Sequence, residues 1–204
     1  MGSEMCIRDR HNPITNPIFY VITTLGNAGW FWIVLAVLML TVLPKKYKKA
    51  GLTMAIALIL SLIFCNGIMK HLWARPRAFW VVGQNFVVGN EFENLYGIFN
   101  SIHDYSFPSG HSSASFAAAV SIFMWRKKEG SAALVLAALI AFSRLYFTVH
   151  YPTDVLVGTI TGALYGVAAY FIVKALMNKV PKLNAIFNNC LLYTSPSPRD
   201  LSTS

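Results

Sequence analysis

AGLTMAIALILSLIFCNGIM, residues 50–69, runs for twenty residues without a charged side chain and stops on Lys70. At about 1.5 Å per residue, a helix of that length covers a hydrocarbon core of about 30 Å. The same kind of run recurs on both sides of it. Residues 12–44 contain no Asp, Glu, Lys or Arg, and 28–43 (AGWFWIVLAVLMLTVL) read as a second spanning helix. The stretch before it, broken by Pro13, Pro17 and Gly26, reads as an interfacial helix. Further spans are expected over 108–125, 131–149 and 155–173. The predicted fold class is therefore all-α, a multi-span transmembrane helical bundle of about five spanning helices plus an N-terminal interfacial helix.

Composition supports this. Of 204 residues, 55% are hydrophobic and 12% charged, about half the charge of an average soluble domain. That excludes a soluble globular enzyme and a disordered chain. Lys plus Arg number 17 against 8 Asp plus Glu, a net charge of +9. The cations sit between apolar runs, so membrane topology accounts for them and a nucleic-acid partner is not implied. Residues 1–10 (MGSEMCIRDR) and 190–204 (CLLYTSPSPRDLSTS) abandon the apolar pattern and resemble translated sequencing-adapter sequence. They are set aside as non-native ends, leaving one transmembrane domain over 11–189. Cys6 and Cys190 fall inside those ends, so Cys65 stands alone and no disulfide is implied.

Short cytoplasmic loops are enriched in Lys and Arg. Lys45, Lys46, Lys48 and Lys49 follow the first span, Arg126, Lys127 and Lys128 the third, and Lys174, Lys179 and Lys182 the fifth. These ends should face the cytoplasm. Residues 78–107 contain no Lys or Arg but carry Glu91, Glu93 and Asp104, so they should face outward. The predicted location is a multi-pass protein of the cell membrane with its polar clusters on the extracytoplasmic side. Gly158, Gly162 and Gly166 form a small-residue face on the last span, and Ser112, Ser113, Ala114, Ser115 and 117–119 a slim surface on the third. Both are expected to serve close packing, bringing the outer ends of the two helices together.

Three clusters stand at those outer ends: KHLWARPRA (70–78), PSGH (108–111) and SRLYFTVHYPTD (143–154). An ionised side chain within hydrocarbon costs about 2.5–3.5 kcal/mol on insertion scales, so Lys70 and Arg144 should turn toward protein or water. With Arg77, they can neutralise a phosphate dianion without a metal. PSGH places a turn at a helix start, where free backbone N–H groups favour an anion, and Ser109 adds a hydroxyl. His111 lies within reach of such a phosphate and can protonate a leaving oxygen. Asp154 follows His150 by four residues, a spacing that lets the carboxylate accept from one imidazole nitrogen and leaves the other free to attack phosphorus. Taken singly, these residues have plain explanations as snorkelling cations, an interfacial histidine and a helix cap. Their joint spacing on one membrane face argues for a site. Arg75 is placed outside it as a headgroup or loop contact, His71 and His103 as structural or solvent-facing groups, and no metal site is indicated.

These motifs resemble the type-2 phosphatidic acid phosphatase family, which shares its core with the vanadium-dependent haloperoxidases. Lys70 and Arg77 match its first motif, with Ala78 where the family has proline; Pro108, Ser109, Gly110 and His111 match the second; Ser143, Arg144, His150 and Asp154 match the third. The resemblance implies a phosphohistidine at His150, oriented by Asp154, with His111 as general acid. It also implies a phosphate held by Lys70, Arg77, Ser109, Gly110 and Arg144, and no metal or other cofactor. The membrane spans argue against the soluble haloperoxidase branch. The expected function is hydrolysis of a lipid phosphate or diphosphate, such as undecaprenyl diphosphate or phosphatidic acid, at the outer membrane face. The expected partners are that lipid and the bilayer. A lipid phosphotransferase using the same phosphohistidine and a non-catalytic lipid-phosphate transporter are the alternatives. The aromatic-rich stretch 78–107 reads equally as an interfacial flap or an anchoring belt.

Overall fold

The structure, a computed structural model, describes residues 14–77 and 104–180. Much of the expected outer loop, with His103, Glu91 and Glu93, and both set-aside ends lie outside the described residues. The described chain folds into helices alone: α1 (Thr15–Leu25), α2 (Trp30–Thr41), α3 (Lys48–Leu60), α4 (Gly110–Trp125), α5 (Lys127–Tyr146) and α6 (Pro152–Lys179). α3 does not end at Leu60. It continues through a π-wound segment, Ser61–Met69, into a last α-helical turn at Lys70–Trp73. Ala74, in a left-handed conformation, stops it (φ 39°).

Three helices are long and apolar enough to cross a bilayer, Lys45–Trp73, Lys127–Tyr146 and Pro152–Lys179, and α1 with α2 make a fourth if a bent pair is one span. The segment predicted to be interfacial forms α1, which meets α2 at a 45° bend. The break falls at Gly26–Gly29, where Ala28 and Gly29 both take positive φ (49° and 68°). Two consecutive left-handed residues cannot continue a right-handed helix. α4 has 16 residues, about 24 Å of helix. It sits at the centre, with Ser112, Ser113, Ser115, Ala117, Ala118 and Ala119 all fully buried.

α4 can be central because its neighbours approach so closely. A Cβ on Gly158 would lie 2.6 Å from the Ser109 carbonyl oxygen, on Gly162 2.3 Å from that of Ser113, and on Gly166 2.9 Å from that of Ala117. The glycine face predicted to serve packing therefore meets the backbone of α4 along three turns. On the other side, Trp32 is buried against α4 and donates from Nε1 to Ser115 Oγ at 3.1 Å, and Ser61 and Ser113 hydroxyls pair at 2.8 Å. Outward-facing positions are apolar instead, as a lipid-contacting surface requires: Leu62, Val135, Leu156 and Leu164 are each at least 60% exposed.

The cationic ends converge. Tyr47 donates to Glu129 (3.3 Å), the Arg126 guanidinium lies 5.2 Å from the Tyr47 ring, and Trp125 packs on Tyr170 at 5.0 Å. The polar clusters lie at the opposite end of α3, α4, α5 and α6. Replacing Gly162 by Ala drives a methyl group into the Ser113 backbone, and overpacking of this kind costs about 1–3 kcal/mol. Gly162→Ala is expected to lower the thermal midpoint of detergent-purified protein by several degrees, whereas Leu164→Ala on the lipid side leaves it nearly unchanged.

Candidate active site

Ser109 caps α4, and its amide donates to the Asp154 carbonyl at 3.0 Å, so the start of α4 is tied to the first turn of α6. Gly110 is glycine for a local reason: a Cβ there would meet Asn66 Oδ1 at 2.7 Å. The first amides of α4 have no intrahelical acceptor and point out of the helix start. Pro152 opens α6, and Asp154 closes a capping box by accepting from the Tyr151 amide at 3.1 Å. Asp154 thus serves as a helix cap and also lies, fully buried, beside His150.

His150 sits between α5 and α6 and is buried. Its Nδ1 donates to the Ser106 carbonyl at 2.8 Å, with Asp154 Oδ2 at 3.7 Å. The carboxylate predicted to accept directly from the ring is therefore one step removed. The Ser106 hydroxyl occupies the intervening place, donating to Asp154 Oδ2 at 2.5 Å and lying 3.4 Å from Nδ1. A carbonyl only accepts, so the proton is on Nδ1 and the lone pair is on Nε2. That lone pair meets Arg77 Nη1 at 3.3 Å. Burial pushes the His150 imidazole down to about 4 against the neighbouring Asp154 carboxylate, which raises it, and Arg77 and Arg144 lower it further.

Arg77 is itself buried, donating from Nη1 to the Val149 carbonyl (3.0 Å) and from Nε to the Asp104 carbonyl (2.8 Å). Its Nη2 and the Lys70 ammonium both pair with the Asp104 carboxylate. Burial alone would raise the Asp104 carboxyl, but Lys70 and Arg77 hold it below its ordinary value. Arg144, also buried, donates from Nη1 to Thr23 Oγ1 at 2.6 Å, and its Nε has no hydrogen-bond partner among the described residues. His111 donates from Nε2 to Asn27 Oδ1 at 2.9 Å.

Lys70, Arg77, Ser109, Gly110, His111, Arg144, His150 and Asp154 are thus gathered at one end of the bundle, from four helices and two connections. Four residues beside them escaped the sequence reading. Arg75, placed outside the site on spacing, donates from Nη1 to Asp154 Oδ1 at 2.7 Å and to Thr153 Oγ1 at 2.9 Å, its guanidinium stacked 3.9 Å from the Tyr151 ring. Ser106 stands two residues before the PSGH segment, Asp104 four, and both were read only as loop. Asn27 belongs to a stretch read as membrane interface. His71, read as structural, packs edge-on to Tyr105 at 6.4 Å.

A cavity of about 890 Å³ opens from this cluster. Lys70, Asn66, Asp104 and His111 line its polar end, Ile33, Val37 and Leu40 of α2 one apolar flank, and Ala55, Leu58, Ile59 and Leu62 the other. From Lys70 back to Ala55, that flank follows α3 for roughly 20 Å.

Residues 46–178 match the PAP2 superfamily. The chain is 31% identical to the candidate undecaprenyl-diphosphatase YbjG of Escherichia coli K12, over 82% of this chain and 74% of that one. It is 29% identical to a lipid A 4'-phosphatase of Bacteroides thetaiotaomicron, over 81% of this chain and 74% of that protein. The crystal structure of the transmembrane PAP2-type phosphatidylglycerolphosphate phosphatase from Bacillus subtilis superposes with a TM-score of 0.58 at 23% identity, covering 88% of this chain and 86% of that one. A family match across most of the described helices, carrying the three motifs in order at one end of one bundle, means that this chain belongs to the PAP2 superfamily and is a membrane phosphatase.

Proposed function

We propose that this protein removes a phosphate from a lipid phosphate or diphosphate at the extracytoplasmic face, through a phosphohistidine on His150 and without a metal. One observation carries the reading: an anion, the Asp104 carboxylate, already pairs with both Lys70 and Arg77, and the same Arg77 guanidinium lies 3.3 Å from the lone-pair nitrogen of His150. A substrate phosphate takes the same cations by displacing that carboxylate. Arg144 Nε, a buried donor unpartnered among the described residues, and the first amides of α4 supply further contacts to phosphate oxygens.

His150 Nε2 attacks phosphorus. As the N–P bond forms, the bond to the leaving oxygen breaks, and that oxygen keeps the electron pair and takes a proton from His111. A water then attacks phosphorus, giving its proton to His111, while the N–P bond breaks and returns its electron pair to Nε2. The imidazolium-like charge at His150 is stabilised through Ser106 and Asp154, and Arg75 in turn holds Asp154 in place. The apolar cavity favours an amphiphile over a soluble ester, because a lipid tail can lie between α2 and α3 while its phosphate reaches Lys70. Topology supports the outer face, since the Lys- and Arg-rich turns gather at the opposite end.

Phosphate release from undecaprenyl diphosphate and phosphatidic acid by purified protein is expected to persist in EDTA and to fall by roughly 10⁴-fold or more in His150→Ala. Radiolabelled phosphate is expected to be trapped on His150 on rapid acid-free quenching. Release that needs an added lipid acceptor identifies a phosphotransferase, and binding without release or labelling rejects the enzymatic reading. Protonation of His150 removes its lone pair, so activity falls as pH drops through its pKa. After correction for substrate ionisation, the acid limb of kcat/KM is expected near pH 4, well below the ordinary histidine value of 6.5. Val37→Trp, which fills the cavity, is expected to raise KM about tenfold for a long-chain lipid while sparing p-nitrophenyl phosphate. Equal effects on both substrates would reject the tail assignment.

A further inference from the structure

The broken helix at the N-terminal side lies outside the residues that match the superfamily, which begin at 46, yet its break rests on the site. Gly26 packs its backbone on the His111 ring so tightly that a Cβ would lie 2.7 Å from Cδ2, and 2.7 Å from Ile140 Cγ2 on the far side. The left-handed residues Ala28 and Gly29 then turn the chain away, leaving Asn27 at the corner. Its Oδ1 accepts from His111 Nε2 at 2.9 Å. One turn earlier on α1, the buried Thr23 accepts from Arg144. The segment thus contacts two of the predicted site residues through side-chain oxygens, and its backbone shape at 26–29 is what brings Asn27 there.

We propose that Asn27 is a positioning residue for His111: its amide oxygen accepts the Nε2 proton and so sets the rotation of the ring, leaving Nδ1–H of the imidazolium as the proton given to the leaving oxygen. The proposal rests on the reading of His111 as general acid. An acid matters most when the leaving oxygen is a poor one. An alkyl phosphate expels an alkoxide that must be protonated, whereas p-nitrophenyl phosphate expels a phenolate that needs little help. Loss of Asn27 therefore has a signature that general loosening of the fold does not share.

The experiment compares kcat and KM on dioctanoyl phosphatidic acid and p-nitrophenyl phosphate for wild type, Asn27→Ala, Asn27→Asp, His111→Ala and the Asn27→Ala/His111→Ala pair, with thermal midpoints recorded for each. Asn27→Ala is expected to lower kcat on the lipid by about tenfold with KM little changed, and on the aryl ester by less than about twofold. Asn27→Asp, which keeps an oxygen at the same place, is expected to recover most of the loss. In the His111→Ala background, Asn27→Ala is expected to add nothing. Equal losses on the two substrates, or additive losses in the double variant, overturn the proposal while leaving a leaving-group-selective His111→Ala intact. A His111→Ala defect that is itself equal on both substrates removes the general acid, and the role of Asn27 with it.

Discussion

Everything at the outer end depends on how closely α6 approaches α4. The three glycines let the two backbones touch, and the contact continues upward into the hydrogen bond from the Ser109 amide to the Asp154 carbonyl. That bond joins two motifs more than forty residues apart in sequence. It sets the anion-facing start of α4 against the turn that carries His150. A helix pair held apart by ordinary side chains would sit about 8–10 Å between axes, too far for that backbone bond to form. Small residues are a packing device, and here the device also fixes where the candidate site residues stand, because the motifs lie at the ends of the helices it joins.

Charge is the second constraint. Lys70, Arg77 and Arg144 are all buried near a low-dielectric environment, and buried cations without partners are costly. Asp104 offsets two of them, and Thr23 satisfies part of the third. Asp104 is half exposed and lies on a connection, whereas its partners are anchored on or beside a long helix. A carboxylate of one negative charge is a weaker ligand than a phosphate dianion with more acceptor oxygens. The ion pairs with Asp104 therefore hold two of these cations in place, and on the proposed reading a phosphate takes them over.

Long apolar runs and motif spacing made the helices legible, and the eight candidate residues that the structure gathers at one end, because both signals are local. The missing parts are contacts between distant segments. Ser106 meets Asp154 across 48 residues, Arg75 meets it across 79, and Asn27 meets His111 across 84. No periodicity encodes such pairs. The direct His150–Asp154 contact read from four-residue spacing was shifted for a related reason: a free carbonyl and hydroxyl of Ser106, brought in by another segment, compete for the same ring nitrogen. The shape of the N-terminal segment was legible only in part. Gly26 and the prolines marked the interruption before α2, but the 45° bend between α1 and α2 and the contact of its corner with His111 are set by packing against distant helices.

The placement of the cavity separates two tasks. The groups assigned to phosphate all fall within residues 46–178, the part shared with the superfamily. One flank of the apolar cavity, Ile33, Val37 and Leu40, falls outside it. A phosphate presents nearly the same oxygens whatever lipid carries it, so the chemistry constrains its cradle tightly and its tail groove hardly at all. An apolar groove discriminates weakly, by about 1–3 kcal/mol per methylene of fit. On the proposed reading, changes on α2 and the facing side of α3 alter which lipid is accepted, with no alteration to the histidines. The bend at Gly26–Gly29 couples the two regions, since the same four residues that orient α2 along the groove also deliver Asn27 to His111.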